Sequence, residues 1–367
     1  MKVAVITRHA ITNYGSLLQA MATQQVIEEL GHTCETIDYI RKDESYRWHE
    51  KTLLKRKPEW NENIMKKGIY LMVRQPESIA AGKRFERARA KYLKLSRRYE
   101  DAAQLAADKP KADVYMTGSD QVWGPVENGS YDSSYCLSFT EEKDKRIAYA
   151  ASFGHTEMTD EISRYYKKYL SRYRHIAVRE DSAVTILKDM GLDAVQVLDP
   201  TLLLDAGYWE GYLAPVPEKK YVLVYQLHND RQLGQYARKV AETRRLPLIR
   251  ISTSLHQAAR EGKFLWNPDL GKFLSYIKNA ECLITDSFHG TAFAINFNTS
   301  FVEILPNNNT GTRNVSILKA TGLSHRVLRN SENLALASEP VDYGQVNEIL
   351  GKKRAESLAI LKKMIEE

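Results

Sequence analysis

Cysteine is scarce in the sequence, and long apolar runs are missing from it. Cys34, Cys136 and Cys282 are the three cysteines, and they lie far apart along the chain. This spacing fits neither a disulfide framework nor a zinc site, so we expect a reducing, cytoplasmic compartment. No apolar run reaches the ~18 residues that a membrane-spanning helix needs. The apolar start of the chain is too short for a signal peptide, so we expect none.

The sequence also lacks the motifs of several common enzyme classes. It contains no G-x-G-x-x-G, no G-x-x-x-x-G-K-[ST], no H-E-x-x-H and no G-x-S-x-G. Its nine histidines do not cluster at the spacing of metal ligands. We therefore expect neither a bound cofactor nor a metal ion.

Basic residues are concentrated in one part of the chain. The net charge is +7, and residues 41–98 hold 18 Lys and Arg against 7 Asp and Glu. Such a segment attracts nucleic acid, an acidic membrane surface or a phosphorylated substrate. Its apolar residues, among them Trp48, Trp60 and Met72, suit an interfacial helix. A solvated helical insertion with long basic side chains would have the same composition.

Strand and helix patterns alternate along the 367 residues, of which 43% are hydrophobic. The alternation predicts an α/β protein of two Rossmann-like, doubly wound domains that face each other across a cleft. The first domain is predicted at 1–204, with a basic helical insertion at 41–107 on the acceptor side. A segment rich in Gly, Pro and aromatic residues predicts a linker at 205–220. The second domain follows at 221–342, and a C-terminal helix at 343–367.

Polar residues follow the first predicted strand in the stretch "TRHAITNYGS". Arg8, Asn13, Gly15 and Ser16 lead into the start of a helix, where free N–H groups favour an anionic ligand. We expect them to bind substrate. A plain helix cap would explain Asn13 and Ser16 as well.

The stretch "TGSDQVW" follows another predicted strand. Ser119 and Asp120 lie on its tight turn, where Asp120 is a candidate base for a sugar hydroxyl and Ser119 a candidate substrate contact. Trp123 is a candidate for stacking on a sugar face. The alternative is a capping aspartate and a core tryptophan.

Two later strand ends carry cationic side chains. In "AVRED", the planar guanidinium of Arg179 suits a phosphate or a carboxylate, although a salt bridge to Glu180 or Asp181 is the more common role of a lone arginine. In "TDSFHG", His289 lies where a strand passes into an apolar helix, which is where α/β proteins bind ligands.

The residues around that histidine are also candidates for contacts with the substrate. Asp286, Ser287 and Gly290 share its turn, and Arg313 follows in the stretch "TGTRNVSILKATGLSHR", together with Lys319 and Arg326. Several cations directed at one cleft would suit a substrate with two or three negative charges.

Seven stretches in chain order resemble the polysaccharide pyruvyl transferase family. They are "NYGSLLQA", "DVYMTGSDQVW", "AYAASFG", "IAVRED", "VLDPTLLL", "TDSFHGTAFAINFN" and "TRNVSILKATGL". The resemblance implies a two-domain fold of the glycosyltransferase B type. It also implies phosphoenolpyruvate as donor, a saccharide with two hydroxyls as acceptor, and a cyclic pyruvate ketal plus phosphate as products.

The same resemblance assigns the catalytic pair to Arg179 and His289. Many family members carry arginine just ahead of that histidine, whereas this chain has Asp286, Ser287 and Phe288. Arg313 or Arg250 would then supply the missing anion contact. A cationic His289 would protonate the methylene carbon of the donor, and the donor's own negative charges would keep it protonated.

Two other functions fit the same architecture. One is a glycosyltransferase that uses sugar nucleotides, and the other is a non-catalytic carbohydrate-binding protein. For the transferase we expect a role in exopolysaccharide biosynthesis for the cell envelope and no nucleic-acid partner. We also expect a saccharide acceptor carried on a lipid, and peripheral association with an anionic membrane at its inner face.

Overall fold

The computed structural model describes residues 1–306 and 311–367. The chain forms two compact units, each built around its own parallel β-sheet. The first unit consists of Met1–Pro200 together with Ser357–Glu367, and the second of Thr201–Glu356.

The described residues form twelve strands, and every ladder between them is parallel. The strands are β1 Lys2–Ile6, β2 Thr33–Tyr39, β3 Leu95–Tyr99, β4 Val114–Thr117, β5 Lys145–Ala151, β6 His175–Val178, β7 Val195–Gln196, β8 Val222–Tyr225, β9 Leu248–Ser252, β10 Lys263–Trp266, β11 Cys282–Thr285 and β12 Phe301–Glu303.

Fourteen α-helices connect and cover these strands in the described ranges. They are α1 Tyr14–Glu29, α2 His49–Lys55, α3 Pro58–Asn61, α4 Ile64–Tyr92, α5 Ala102–Ala107, α6 Asp160–Leu170, α7 Asp181–Asp189, α8 Pro200–Leu203, α9 Ala206–Glu210, α10 Arg231–Arg244, α11 Leu270–Lys278, α12 Phe288–Asn296, α13 Thr312–Ala320 and α14 Tyr343–Glu366.

The sheet of the first unit has the strand order β3-β2-β1-β4-β5-β6-β7. The chain moves outward from β1 to β3 and then returns to place β4 on the other side of β1. The loops after β1 and β4 therefore leave the sheet in opposite directions and open a crevice at its carboxyl edge, where open α/β sheets bind ligands. Residues 7–13 and 118–123 form these two loops.

The sheet of the second unit repeats this arrangement with the order β10-β9-β8-β11-β12. Its reversal lies between β8 and β11, which pair from Cys282–Val222 to Thr285–Tyr225. All eight side chains of these two strands are buried, as expected for strands covered on both faces. The loops that begin at Gln226 and Asp286 flank the second crevice.

The predicted α/β class with two doubly wound parallel sheets is confirmed, but two strands were missed. The segment 41–107 was predicted to be helical throughout, whereas its "LSRRY" stretch forms β3 at the edge of the first sheet. Arg97 and Arg98 of β3 are largely exposed, and basic side chains are a common feature of edge strands. The other missed strand, β10, is also at an edge.

The segment 205–220, predicted as a linker, belongs to the body of the second unit. Trp209 is fully buried there and packs edge-on against Phe293. The amide of Ala214 donates to the hydroxyl of Ser275, 3.1 Å away. Gly, Pro and aromatic residues are as typical of a packed loop as of a linker. The unit boundary lies earlier, at Pro200, and the last eleven residues of the chain, 357–367, return to the first unit.

Helices α2, α3 and α4 form the crossover between β2 and β3. Tyr46 fixes the middle of α4, because its ring lies over Gly82 and its hydroxyl donates to Glu86 at 2.9 Å. A Cβ atom at position 82 would overlap the Tyr46 ring, whereas one at Gly68 of the same helix would meet nothing within 4 Å. In the described part of the chain, no helix is both long and apolar enough to cross a membrane.

We predict that Gly82→Ala destabilises the protein by about 1–3 kcal/mol, because the added methyl group displaces Tyr46. The control is Gly68→Ala in the same helix, which should stabilise by up to about 1 kcal/mol through helix propensity alone. Thermal unfolding followed by circular dichroism measures both variants. Equal effects of the two substitutions would show that Tyr46 does not fix α4.

Candidate active site

Arg179 lies in a buried cluster of carboxylates at the carboxyl edge of the first sheet. Its Nη1 atom lies 2.9 Å from Oδ2 of Asp199. Its other guanidinium nitrogens lie 3.8 Å from Glu180 and 4.0 Å from Asp120. The arginine side chain is 2% exposed. Three carboxylates surround one guanidinium, so the local charge is negative when all three are ionised.

Asp120 occupies the tight turn after β4 in a left-handed backbone conformation, with φ of 81°. Its Oδ2 atom accepts from the hydroxyl of Ser16 at 2.6 Å, and its Oδ1 atom accepts from the amide of Gln121 at 2.8 Å. Two hydrogen-bond donors and the Arg179 guanidinium, 4.0 Å away, therefore fix the position of the Asp120 carboxylate.

Ser119 links this cluster to the first strand. Its hydroxyl donates to Asp199 at 2.7 Å, and its carbonyl accepts from the hydroxyl of Thr7 at 2.7 Å. Ser16, Ser119, Asp120 and Arg179, predicted from three separate stretches, thus lie in one network of hydrogen bonds and ion pairs. Asp199 was missed, although it stands at a strand end in the quoted stretch "VLDPTLLL".

The other predicted residues after β1 have partners within the protein. Asn13 caps α1, because its side chain accepts from the amide of Gly15 at 2.7 Å. Arg8 is buried and pairs with Glu44 at 3.0 Å. Burial opposes the charge of Arg8, but Glu44 and other acidic neighbours outweigh it and raise its pKa. Asn13 and Arg8 therefore have clear structural roles at the edge of the crevice.

Trp123 lies in the hydrophobic core of the first unit and is fully buried. Its ring packs against Phe153 at 4.9 Å and Tyr173 at 6.4 Å, and its indole nitrogen donates to the carbonyl of Tyr135 at 3.3 Å. Because the side chain has no exposed surface, it does not offer a face to a sugar in this structure. The core alternative, not the stacking role, matches the observed position.

In the second unit, the turn after β11 is built by close backbone packing. Ser287 caps α12 by accepting from the amide of Gly290 at 3.2 Å. A Cβ atom at Gly290 would lie 2.7 Å from the hydroxyl of Thr285 and 3.1 Å from the Tyr225 ring. That hydroxyl also donates to the carbonyl of Tyr225 at 2.6 Å. Glycine at position 290 lets α12 begin directly on the sheet.

Asp286 joins the two loops that flank the crevice of the second sheet. Its carboxylate accepts from the amides of Leu227 and His228, at 2.7 and 2.9 Å, and lies 3.1 Å from Nδ1 of His228. The carboxylate is 2% exposed, whereas the His228 side chain is 32% exposed. Asp286, predicted as a substrate contact, thus binds His228 in this structure. No motif or periodic pattern in the sequence pointed to this histidine.

His289 is the second residue of α12 and is 7% exposed. Its ring stands edge-on to Phe288, with centroids 5.1 Å apart. His289 thus lies in the first turn of α12, where helix N–H groups favour an anionic ligand.

Glu303, at the end of β12, holds together the helices that follow the site. It accepts from the hydroxyl of Thr291 in α12 and from the amide of Asn314 in α13, the latter at 2.6 Å. Complete burial raises the pKa of Glu303 to about 8, although these two hydrogen bonds act in the opposite direction. In the sequence, Glu303 stands out only as the one charged residue of the stretch "SFVEIL".

Of the arginines predicted to replace the family's missing one, only Arg313 is partly exposed. It lies in the first turn of α13, next to Asn314. Arg250 is fully buried between Gln226 and Gln257, at 2.9 and 3.1 Å, and burial lowers its pKa to about 10. Arg326 is equally buried and donates to the carbonyl of Phe301. Arg250 is therefore committed to protein contacts.

Potential metal ligands are dispersed. Across residues 1–306 and 311–367, no group of three or more His, Cys, Asp or Glu side chains is placed to hold a metal ion.

The sequence model of the polysaccharide pyruvyl transferase family matches residues 13–309. This match covers well over half of the chain and includes every predicted catalytic residue. The chain therefore belongs to the polysaccharide pyruvyl transferase family. No curated protein matches the sequence.

Solved structures of sugar-nucleotide enzymes share the fold at low sequence identity. UDP-GlcNAc 2-epimerase from Neisseria meningitidis bound to UDP-GlcNAc has a TM-score of 0.52 and 12% identity, over 99% of this chain and 100% of that one. UGT89C1 of Arabidopsis thaliana complexed with UDP-L-rhamnose has a TM-score of 0.51 and 11% identity, over 99% and 98%. A putative UDP-N-acetylglucosamine 2-epimerase from Listeria monocytogenes has a TM-score of 0.51 and 11% identity, over 100% and 96%. The predicted glycosyltransferase B type of fold is confirmed.

We predict that Glu303 makes the protein less stable as the pH rises. The folded state keeps the proton of Glu303 up to about pH 8, whereas an unfolded chain releases it near pH 4.5. Between these values the free energy of unfolding should fall by about 1.4 kcal/mol per pH unit on account of this group. Glu303→Gln stays neutral and should lose this slope.

The measurement compares the melting temperatures of both proteins across the pH range. The difference between Glu303→Gln and the parent protein should move in favour of the variant from pH 5 to pH 8. A difference that stays constant with pH would show that Glu303 is ionised in the folded state at neutral pH.

Proposed function

We propose that the protein transfers pyruvate from phosphoenolpyruvate to two hydroxyls of a saccharide, forms a cyclic ketal and releases phosphate. The observation that supports this most strongly is the family match over residues 13–309, which includes Arg179 and His289. Both residues stand at carboxyl edges of parallel sheets, where this fold class binds its ligands.

The bond changes need one proton donor and two proton acceptors. A proton adds to the methylene carbon of the donor, and a sugar hydroxyl attacks the adjacent carbon as it gains positive charge. The bond from that carbon to the phosphate oxygen then breaks, and the second hydroxyl closes the ketal. One hydroxyl proton replaces the proton used at the methylene carbon, and the other leaves with the phosphate.

His289 is the proposed donor of the first proton. Its place in the first turn of α12 puts it beside helix N–H groups, which favour the anionic groups of the donor.

Asp120 is the proposed base for the attacking hydroxyl, positioned by the hydroxyl of Ser16 at 2.6 Å and by Arg179 at 4.0 Å. As placed, Arg179 already faces three carboxylates, which makes direct binding of a phosphate unfavourable. We propose that its main contribution is to hold Asp120 and Asp199, and that it reaches the phosphate only if one of these carboxylates gives way.

The acceptor is proposed to be a saccharide carried on a lipid, which would place the enzyme in exopolysaccharide biosynthesis at the cytoplasmic face of a membrane. Phosphoenolpyruvate serves as substrate, so this scheme requires no cofactor. The enzymes of similar fold that were solved with UDP-sugars make a sugar-nucleotide glycosyltransferase the second candidate.

A binding assay and a product assay together test the proposed function. Phosphoenolpyruvate should raise the melting temperature of the protein, and UDP-sugars should not, because a ligand stabilises the state that binds it. Incubation with phosphoenolpyruvate and candidate glycans should add one pyruvate ketal to the glycan by mass spectrometry. Stabilisation by UDP-sugars alone would favour the glycosyltransferase instead.

We predict that His289→Ala lowers phosphate release in the presence of acceptor by about 10²- to 10⁴-fold, the usual loss for a general acid. The matched control is His325→Ala, which removes an exposed histidine of the same unit and should keep full activity. Circular dichroism checks that both variants fold. Near-normal turnover of His289→Ala would refute its assignment as the proton donor.

A further inference from the structure

Helix α4 carries an exposed apolar surface on its first ten residues. Ile64, Met65, Ile69, Met72 and Val73 are between 59% and 87% exposed. Exposed large apolar side chains occur elsewhere in the described ranges only one at a time, which needs no explanation. Five exposed apolar side chains within ten residues do call for an explanation.

These five side chains lie on a single side of the helix. At about 100° per residue, they span half of its circumference, together with Gly68 and Pro76. The opposite side is anchored to the protein, because the Tyr70 ring lies 6.1 Å from the Trp60 ring and its hydroxyl donates to Glu50 at 2.8 Å. The fold therefore holds α4 firmly and presents its apolar side outward.

The second half of α4 continues the same side of the helix with basic residues. Lys83, Arg84, Arg87 and Lys91 fall within or next to the angular range of the five apolar residues, and all four are exposed. The helix has 29 residues, so it is about 43 Å long, and its apolar part occupies roughly the first 15 Å. We call this continuous surface, from Ile64 to Lys91, the α4 face.

The charges around the apolar part are also mainly basic. In residues 51–73, the exposed acidic side chains are Glu59 and Glu62, whereas the exposed basic ones are Lys51, Lys55, Arg56, Lys57, Lys66 and Lys67. Glu50 and Glu77 are buried and pair with Arg74. Trp48, which is 41% exposed, lies against Lys51 with its ring 4.4 Å from the ammonium group.

We propose that the α4 face docks on an anionic lipid bilayer. Its apolar half enters the boundary between headgroups and acyl chains, and its basic half lies on the phosphate groups. A second copy of this chain would bring two strongly basic surfaces together, which is unfavourable. Nucleic acid would account for the basic residues but not for five adjacent aliphatic side chains. The bilayer is the one partner that both features fit, and it does not depend on the chemistry proposed above.

The test is sedimentation of the full chain with vesicles of equal parts phosphatidylcholine and phosphatidylglycerol, or of phosphatidylcholine alone. The protein should bind the anionic vesicles, bind the neutral ones much more weakly, and dissociate as salt is added. Ile69→Ser with Met72→Ser should weaken binding about tenfold or more, and Lys83→Glu with Arg87→Glu similarly.

The controls change the same residue types elsewhere. Val195→Ser with Leu255→Ser, and Lys272→Glu with Lys352→Glu, should bind vesicles like the parent protein. Equal binding by all variants, or none by the parent at low salt, would overturn the proposal. So would a dimer in analytical ultracentrifugation that Ile69→Ser with Met72→Ser dissociates, because the occupant would then be a second copy.

A separate observation concerns His228 and Asp286. A carboxylate only accepts hydrogen bonds, so Nδ1 of His228 carries the hydrogen that it shares with Asp286 across 3.1 Å. This fixes the neutral ring in the tautomer whose Nε2 atom has the lone pair.

We infer that His228 is a second proton acceptor, which takes the proton of one sugar hydroxyl, and that Asp286 is its positioning residue. The inference rests on the proposed pyruvyl transfer, which releases two hydroxyl protons. It supplements Asp120, which can take only one of them. The exposed third of the His228 side chain lies at the strand reversal of the second sheet, where a ligand is expected.

The test combines kinetics with a spectroscopic signature that needs no activity. His228→Gln should lower kcat about 10²-fold or more, while phosphoenolpyruvate stabilises the variant as it does the parent. Nitrogen-15 NMR of labelled histidine should show the Nδ1–H tautomer at position 228, and Asp286→Asn should shift it toward a mixture. An unchanged kcat, or an Nε2–H tautomer in the parent, would overturn the assignment. Failure of the parent protein to release phosphate at all would instead refute the proposed function.

Discussion

Parallel pairing of β1 with β4 and of β8 with β11 is the constraint on which the candidate site depends. Each pair marks the point where the chain reverses direction across its sheet. Backbone hydrogen bonds fill the space between paired strands, but the two loops that leave their carboxyl ends diverge. Polar side chains can therefore collect there without disturbing the apolar strands below. In both units they do so: Asp120 with Ser16 in the first, and Asp286 with His228 in the second.

The two candidate sites differ in the charge of their side chains and in the chemistry proposed for them. In the first unit, carboxylates outnumber the one arginine they surround, which suits a site that accepts protons. In the second unit, His289, His228 and Arg313 stand near the starts of helices or loops. The only carboxylate in contact with them among the described hydrogen bonds, Asp286, is occupied by backbone amides. In our proposal that edge binds the anionic donor, with His289 donating one proton and His228 accepting another.

Much of this arrangement could be predicted from the sequence, because the ends of most strands can be identified in it. Short apolar runs followed by Gly, Ser, Asp or Asn identified ten of the twelve strands, and with them the positions of Ser16, Ser119, Asp120, Arg179 and His289. The edge strand β3 was missed because its exposed positions carry arginine, and β10 because its four residues show no alternation of polar and apolar side chains. The remaining features depend on which side chains are buried and what they contact, and the local sequence does not show this. Nothing in "TGSDQVW" distinguishes a core tryptophan from a stacking one, and neither His228 nor Glu303 shows its partner in the local sequence.

The central claim is that phosphoenolpyruvate is the substrate and that His289 faces its methylene carbon. A crystal structure of the protein with phosphoenolpyruvate, or with an unreactive analogue of it, tests this most directly. The account predicts density for the ester at the start of α12, with the methylene carbon against the imidazole of His289. Density for the ester at any other place, or none at a saturating concentration, would contradict it.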